Sequence, residues 1–340
     1  VNSMQALNFP PADWQMSLKN LVNDPAELLA LLNLSAEHLP AAERATKLFG
    51  LRVPREFVAL MQPGDIDDPL LKQVLPIDAE FVDKPGYVAD PLEESEARPV
   101  PGVVHKYQDR LLLILSGACA INCRYCFRRH FPYEENRISG SAKKRALDYI
   151  REHTELREVI LSGGDPLVSS DARLEELISE LSAIEHIERL RIHSRLPVVI
   201  PSRITERLVT ILSNSGLQTA LVLHINHPQE ISVELTDACL RLRNAGITLL
   251  NQAVILRGVN DKTDVQVELS RALYRSAILP YYLFLFDPVK GASHFDLPEP
   301  QAQALAAQMQ AQLPGYLMPR LAREIPGRPS KTLILAKPTD

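Results

Sequence analysis

From residue 111 onward the chain alternates short apolar runs with amphipathic stretches, and this alternation restricts the possible fold more than any other feature. The runs occupy residues 111–115, 159–161, 190–192, 220–223, 248–254 and 281–286. Between them, residues 142–152, 171–183, 204–214, 233–244 and 264–275 carry apolar side chains at helical spacing. Strand-length runs separated by helices are the pattern of βα units around a parallel sheet. Six right-handed units make either a partial barrel or an open doubly wound sheet.

The residues that follow each run favour the barrel. In order they are a cysteine cluster, Gly163-Gly164-Asp165, Ser194-Arg195, His224-Ile225-Asn226-His227, Gln252 with Arg257, and Asp287. Barrels assemble their sites from the C-terminal ends of several strands, whereas an open sheet gathers its ligand groups at one switch point. The expected fold class is therefore α/β, a partial (β/α)6 TIM-like barrel over residues 101–313. Residues 1–100 precede it as a helical N-terminal region and an extended connector. A helix starts at Pro25, Leu48, Leu51, Val53 and Phe57 continue an apolar face, and prolines multiply between residues 63 and 103. Residues 314–340 form a short C-terminal segment with a last apolar run at 332–336.

Composition removes several classes of function. Of 340 residues, 46% are hydrophobic and 23% charged, which excludes disorder as the main state. The net charge of −5 provides no positive field to collect nucleic acid or anionic lipid. No apolar run approaches the length of a membrane span, and Pro10, Pro11 and Asp13 replace the charged-then-apolar pattern of an export signal. The expectation is a cytoplasmic protein with neither nucleic acid nor membrane as partner.

Three of the four cysteines fall in Cys119-Ala-Ile-Asn-Cys123-Arg-Tyr-Cys126, just after the first barrel run. Thiolates at such spacing ligate iron–sulfur clusters, and three protein ligands leave one iron of a four-iron cluster open to another molecule. A thioredoxin-like Cys123-x-x-Cys126 pair and a zinc site completed by His130 or Cys239 are the other chemistries open to the same residues. Cys239 lies in phase with Leu235 and Leu242 on a helix, where packing is its ordinary role.

The C-x3-C-x2-C run, with Tyr125 just before its last cysteine, resembles the radical S-adenosylmethionine (SAM) superfamily. There the open iron chelates the methionine moiety, and reduction of the cluster cleaves SAM to a 5'-deoxyadenosyl radical. Gly163-Gly164-Asp165-Pro166-Leu167 resembles that superfamily's glycine-rich segment. Further motifs narrow the likeness: His105-Lys-Tyr-Gln-Asp-Arg110, Cys126-Phe-Arg128-Arg129, His193-Ser-Arg195, His224-x-Asn226-His227-Pro, the segment from Leu250 through Arg257 to Asp261, and Pro280-Tyr-Tyr-x-x-x-x-Asp287. Together they look like the lysine 2,3-aminomutases. Cys-Arg-Tyr-Cys-Phe-Arg-Arg-His-Phe-Pro-Tyr and Leu-Ala-Arg-Glu-Ile-Pro-Gly-x-Pro-Ser-Lys are most similar to the bacterial branch that supplies (R)-β-lysine for modifying elongation factor P.

This resemblance implies a [4Fe-4S] cluster on Cys119, Cys123 and Cys126, with SAM lined by Gly163, Gly164, Asp165, His224 and Gln252. A lysine that opens an apolar run is ordinarily a solvated surface residue. By resemblance, however, Lys331 is the Schiff-base lysine of pyridoxal 5'-phosphate (PLP), with Lys106, Tyr107 and Arg110 contacting the cofactor. The same resemblance makes Arg128 the bidentate partner of the substrate carboxylate, and Asp287 and Glu324 the acidic pair for the distal ammonium of L-lysine. Glu324 stands where the family usually has aspartate. The implied partners are a flavodoxin or ferredoxin as reductant and, functionally, elongation factor P with its lysyl-type ligase.

Overall fold

The computed structural model describes residues 13–133, 138 and 140–337. The first twelve residues of the expected N-terminal region, including Pro10 and Pro11, and the last three of the C-terminal segment lie outside them. One nine-stranded sheet runs through the molecule in chain order. Its strands are β1 (Val103–Tyr107), β2 (Arg110–Ser116), β3 (Glu158–Gly163), β4 (Arg189–Ser194), β5 (Gln218–Leu223), β6 (Thr248–Val254), β7 (Leu279–Phe284), β8 (Arg320–Arg323) and β9 (Thr332–Leu333).

Strands β2 to β8 pair in parallel, each with the next in sequence. The six expected units are β2 to β7, and the sheet extends beyond them on both sides. β1 forms an antiparallel hairpin with β2, and β9 pairs antiparallel with β8. β1 thus lies within the expected barrel segment, ahead of its first apolar run, and the C-terminal segment supplies a seventh parallel strand. β8 is only four residues long, too short to show in sequence as an apolar run. Among the described residues β1 and β9 are not hydrogen-bonded to one another, so the barrel stays open along that seam.

The crossover helices α6 (Ser141–Glu152), α7 (Asp171–Ser182), α9 (Glu206–Ser213), α10 (Val233–Asn244) and α11 (Thr263–Arg275) return the chain between strands, with the single turn α8 (Leu196–Val199) just after β4. Three begin where a hydroxyl accepts an otherwise unsatisfied backbone N–H: Ser170 from Arg173, Thr205 from Leu208 and Ser232 from Leu235. Helix α12 (Glu299–Gln310) packs a second apolar cluster against β6 to β8.

The N-terminal helices α1 (Trp14–Lys19), α2 (Pro25–Leu31), α3 (Leu39–Thr46), α4 (Arg55–Val58) and α5 (Pro69–Lys72) have no separate core. Trp14, Leu28, Phe57 and Leu71 are buried in the same cluster as Leu113, Leu161, Ile192 and Leu221 of the barrel strands. The connector that follows is irregular yet anchored. It places three polar side chains, Gln73, Glu80 and Glu94, in the interior, each at most 5% exposed. No helix among the described residues is long and apolar enough to cross a membrane.

Candidate active site

A cavity of about 750 Å³ opens at the C-terminal ends of the strands and extends into the barrel, a volume within the range of small-molecule sites. Every candidate residue from the sequence lines it: Cys119, Cys123 and Cys126, Gly163, Gly164 and Asp165, His224 and Gln252, Arg128, Asp287 and Glu324, and Lys106, Tyr107, Arg110 and Lys331.

The cysteines sit on the loop that leaves β2. A turn closed by Cys126 N donating to Cys123 O at 3.0 Å holds the last two. All four cysteines are free thiols. Burial and the neighbouring Cys126, Asp165 and Cys123 push the Cys119 thiol well above its ordinary pKa, and burial with Cys123 pushes Cys126 up to about 11. Thiols crowded this way lose protons readily only to a positive centre. Among the described residues no three His, Cys, Asp or Glu side chains converge on one point, as a single chelated ion requires. Three thiols on one loop that lines the cavity are soft donors of the kind that hold an iron–sulfur cluster. His130 turns to the Lys290 carbonyl and Cys239 is buried among core residues, which removes both candidates for a fourth zinc ligand.

The β3 loop holds this segment tightly. Gly164 N donates to Ser116 O at 2.7 Å and Asp165 N to Ala118 O at 2.9 Å. A Cβ on Gly164 would stand 2.6 Å from the Ala118 oxygen, so only glycine allows the two loops to approach. The Asp165 carboxylate is already fully engaged: it accepts from Leu167 N, Ser194 Oγ, Arg195 N and Leu196 N at 2.7–3.0 Å. It fastens β3 to β4 beneath the glycines.

Sequence reasoning missed the buried network behind Cys123. Arg195 donates to Cys123 Sγ at 2.7 Å, to Tyr125 Oη at 2.7 Å, to Gln73 at 2.7 Å and to Glu230 at 2.9 Å. His224 Nδ1 lies 2.8 Å from the backbone oxygen of Gln252. Because that oxygen only accepts, Nδ1 carries the proton and Nε2 accepts from Tyr125 Oη at 2.8 Å. Burial and Arg195 lower the His224 pKa to about 4, so the ring is neutral. Arg195 and Tyr125 stood within motifs; Gln73 and Glu230 carried no sequence signal.

Arg128 differs from the expected free fork. Its Nε and Nη2 pair with both oxygens of Glu94 at 2.7 Å, and Nη1 donates to Ser162 Oγ at 3.1 Å and Gly163 O at 3.2 Å. A bidentate grip on a further carboxylate is already taken, by a residue that a proline-rich connector gave no reason to single out.

At the open seam, Lys331 Nζ donates to Tyr107 Oη at 3.1 Å and pairs with Glu324. Lys106 Nζ reaches the same carboxylate at 2.9 Å and the Leu92 carbonyl at 2.8 Å. Arg110 stacks on the Tyr107 ring at 4.3 Å and pairs with Asp109. Burial works against ionisation of Glu324, but Lys331 and Lys106 outweigh it and hold the carboxyl low. Asp287 shows the reverse: burial and then the Glu324 charge raise it to about 7. Deeper in, Arg191 Nε and His193 Nε2 are buried without a hydrogen-bond partner, polar atoms that suit a bound polar group.

An open parallel barrel with three cysteines after its first parallel strand defines the radical SAM class, and the Radical SAM superfamily model matches residues 113–267. Relatives are similar over nearly the whole chain. An L-lysine 2,3-aminomutase of Escherichia coli is 52% identical over 96% of both chains, and one of Haemophilus influenzae 50% identical over 94% of this chain and 95% of its own. One of Buchnera aphidicola is 46% identical over 95% of both. The chain belongs to the lysine 2,3-aminomutase family, and is an isomerase that uses a [4Fe-4S] cluster, SAM and PLP.

Proposed function

We propose that the protein moves the α-amino group of L-lysine to C3, giving (R)-β-lysine in the cytoplasm for modification of elongation factor P. The observation that carries the substrate assignment is the pairing of Asp287 with Glu324 in the cavity that also contains Arg128. Glu324 is already held by Lys331 and Lys106, whereas Asp287 forms no ion pair among the described residues, so a side chain that ends in a cation supplies the partner Asp287 lacks. The (R) product and the link to elongation factor P rest on the resemblance of the Cys123–Tyr133 and Leu321–Lys331 segments to that bacterial branch.

In this proposal Cys119, Cys123 and Cys126 hold the cluster, while Gly163, Gly164, Asp165, His224 and Gln252 surround SAM. Lys331 holds PLP, with Lys106, Tyr107 and Arg110 beside it. When bound, cluster and SAM supply a hydrogen-abstracting radical and PLP a π system that spreads spin. The chain's own residues orient and enclose. Arg128 presents positive charge to the substrate carboxylate, Asp287 and Glu324 fix the far ammonium, and the barrel wall keeps water from the reacting carbons. A flavodoxin or ferredoxin delivers the electron.

Anaerobic reconstitution with PLP, SAM, reductant and L-lysine, followed by chiral chromatography with mass detection, tests this directly. The expected product is (R)-β-lysine, and its transfer to elongation factor P by the purified ligase tests the destination. 5'-Deoxyadenosine without β-lysine would overturn the substrate, and the (S) product would overturn the link to elongation factor P.

A further inference from the structure

Four of the five N–H groups of Arg128 are spent on Glu94, Ser162 and Gly163, leaving one hydrogen on Nη2. A carboxylate that approaches Arg128 therefore needs a second donor from elsewhere in the cavity. The sheet register supplies one. Strands β3 and β4 pair in step through Leu161 and Ile192, so Ser162 and His193 are the next neighbours on the interior face, about 4.8 Å apart across one strand spacing. Both line the cavity, and Ser162 is the residue on which Arg128 rests.

His193 has the chemistry this position needs. Its Nε2 is buried without a hydrogen-bond partner among the described residues. Burial, with Arg191, Lys331 and Arg128 nearby, lowers its pKa well below the ordinary range, so the imidazole is neutral and offers one N–H. The three cations are each paired with a glutamate, Arg191 with Glu158, Lys331 with Glu324 and Arg128 with Glu94, so the donor still free to meet a carboxylate is the imidazole N–H.

We infer that His193 is a specificity-determining residue that donates a hydrogen bond to the α-carboxylate of the amino-acid substrate, completing the site that Arg128 alone cannot. The inference rests on the proposed lysine reaction. SAM also carries an α-amino-acid carboxylate, and the test separates the two.

The experiment compares L-lysine with L-lysinamide, which lacks the carboxylate charge, on anaerobically reconstituted enzyme. Binding is followed by the change in pyridoxal absorbance, and product formation in parallel. The wild type is expected to favour lysine strongly. In His193→Leu, preference for lysine over lysinamide should fall about 10- to 100-fold, the loss of one hydrogen bond to a charged group. SAM affinity and iron content should hold. His193→Gln, which keeps an N–H, should recover most of the preference and guards against a folding defect in the leucine variant. Unchanged preference in His193→Leu, or weakened SAM binding with lysine binding intact, overturns the inference. A wild type that forms no β-lysine overturns the function itself, a result distinct from either.

Discussion

Lys331 Nζ and Tyr107 Oη, 224 residues apart in the chain, lie 3.1 Å apart across the seam where the barrel fails to close. Lys106 and Glu324 make a second bridge at 2.9 Å. Side chains span a gap that backbone hydrogen bonds leave open, and in doing so they bring the proposed PLP residues from opposite edges of the sheet into one place.

Replacing Lys331 with alanine should abolish the absorbance of protein-bound pyridoxal while leaving iron and sulfide content at wild-type levels. The lysine pairs with Glu324 and Tyr107 and makes no hydrogen bond or ion pair to the cysteine loop. A retained pyridoxal band after desalting would remove Lys331 from its assigned role.

Asp287 makes the protein's stability depend on pH. Its carboxyl, raised to about 7, holds a proton in the folded chain that the unfolded chain releases above its ordinary value near 3.8. Its contribution is therefore most favourable below about pH 4 and declines as pH rises toward about 7. Urea titrations at about pH 5 and about pH 8 should show Asp287→Asn gaining on the wild type at the higher pH. Lysine binding should tighten in the wild type over the same rise, because the ionised carboxyl receives the ammonium, and the asparagine variant should lose that trend.

Arg195→Met should destabilise the fold by about 3–5 kcal/mol, because it leaves Glu230 charged and buried without its partner. Urea midpoints of the cofactor-free protein measure this without interference from the cluster. A loss below about 1 kcal/mol would show that the arginine is not the hub its four contacts describe.

Gly164→Ala should lower iron loading, with a stability cost of about 1–3 kcal/mol, since the new methyl must push back the Ala118 carbonyl on the cysteine loop. Iron and sulfide assays after reconstitution, set beside Gly315→Ala as a control with open space around it and an ordinary backbone, would separate this crowding from a general effect of the substitution.

The six central strands were legible because each is an apolar run flanked by helical spacing, and a strand with helices behind it needs little else to declare itself. β1 and β8 were not. Val103–Tyr107 passes from two buried valines into half-buried His105, Lys106 and Tyr107, and Arg320–Arg323 is too short to stand out. In the apolar run at 332–336 only Thr332–Leu333 is strand, and Leu333 and Leu335 are 58% and 76% exposed. In the site, the cysteines and glycines showed through their spacing, whereas Glu94, Gln73 and Glu230 become visible only when the fold brings distant carboxylates and amides against Arg128 and Arg195. A buried charge must be paired, but sequence does not say by which of the many acids in the chain.

The order of these parts along the polypeptide also matters during synthesis. The thiol loop follows the first parallel strand and Lys331 follows the seventh, so the ribosome delivers the proposed cluster ligands some two hundred residues before the lysine. A chain interrupted after β7 would carry the cysteines and lack both Glu324 and Lys331, with β7 left as a bare sheet edge. Such a fragment would hold metal-binding thiols with nowhere to anchor the second cofactor, and its exposed strand would invite association with other chains.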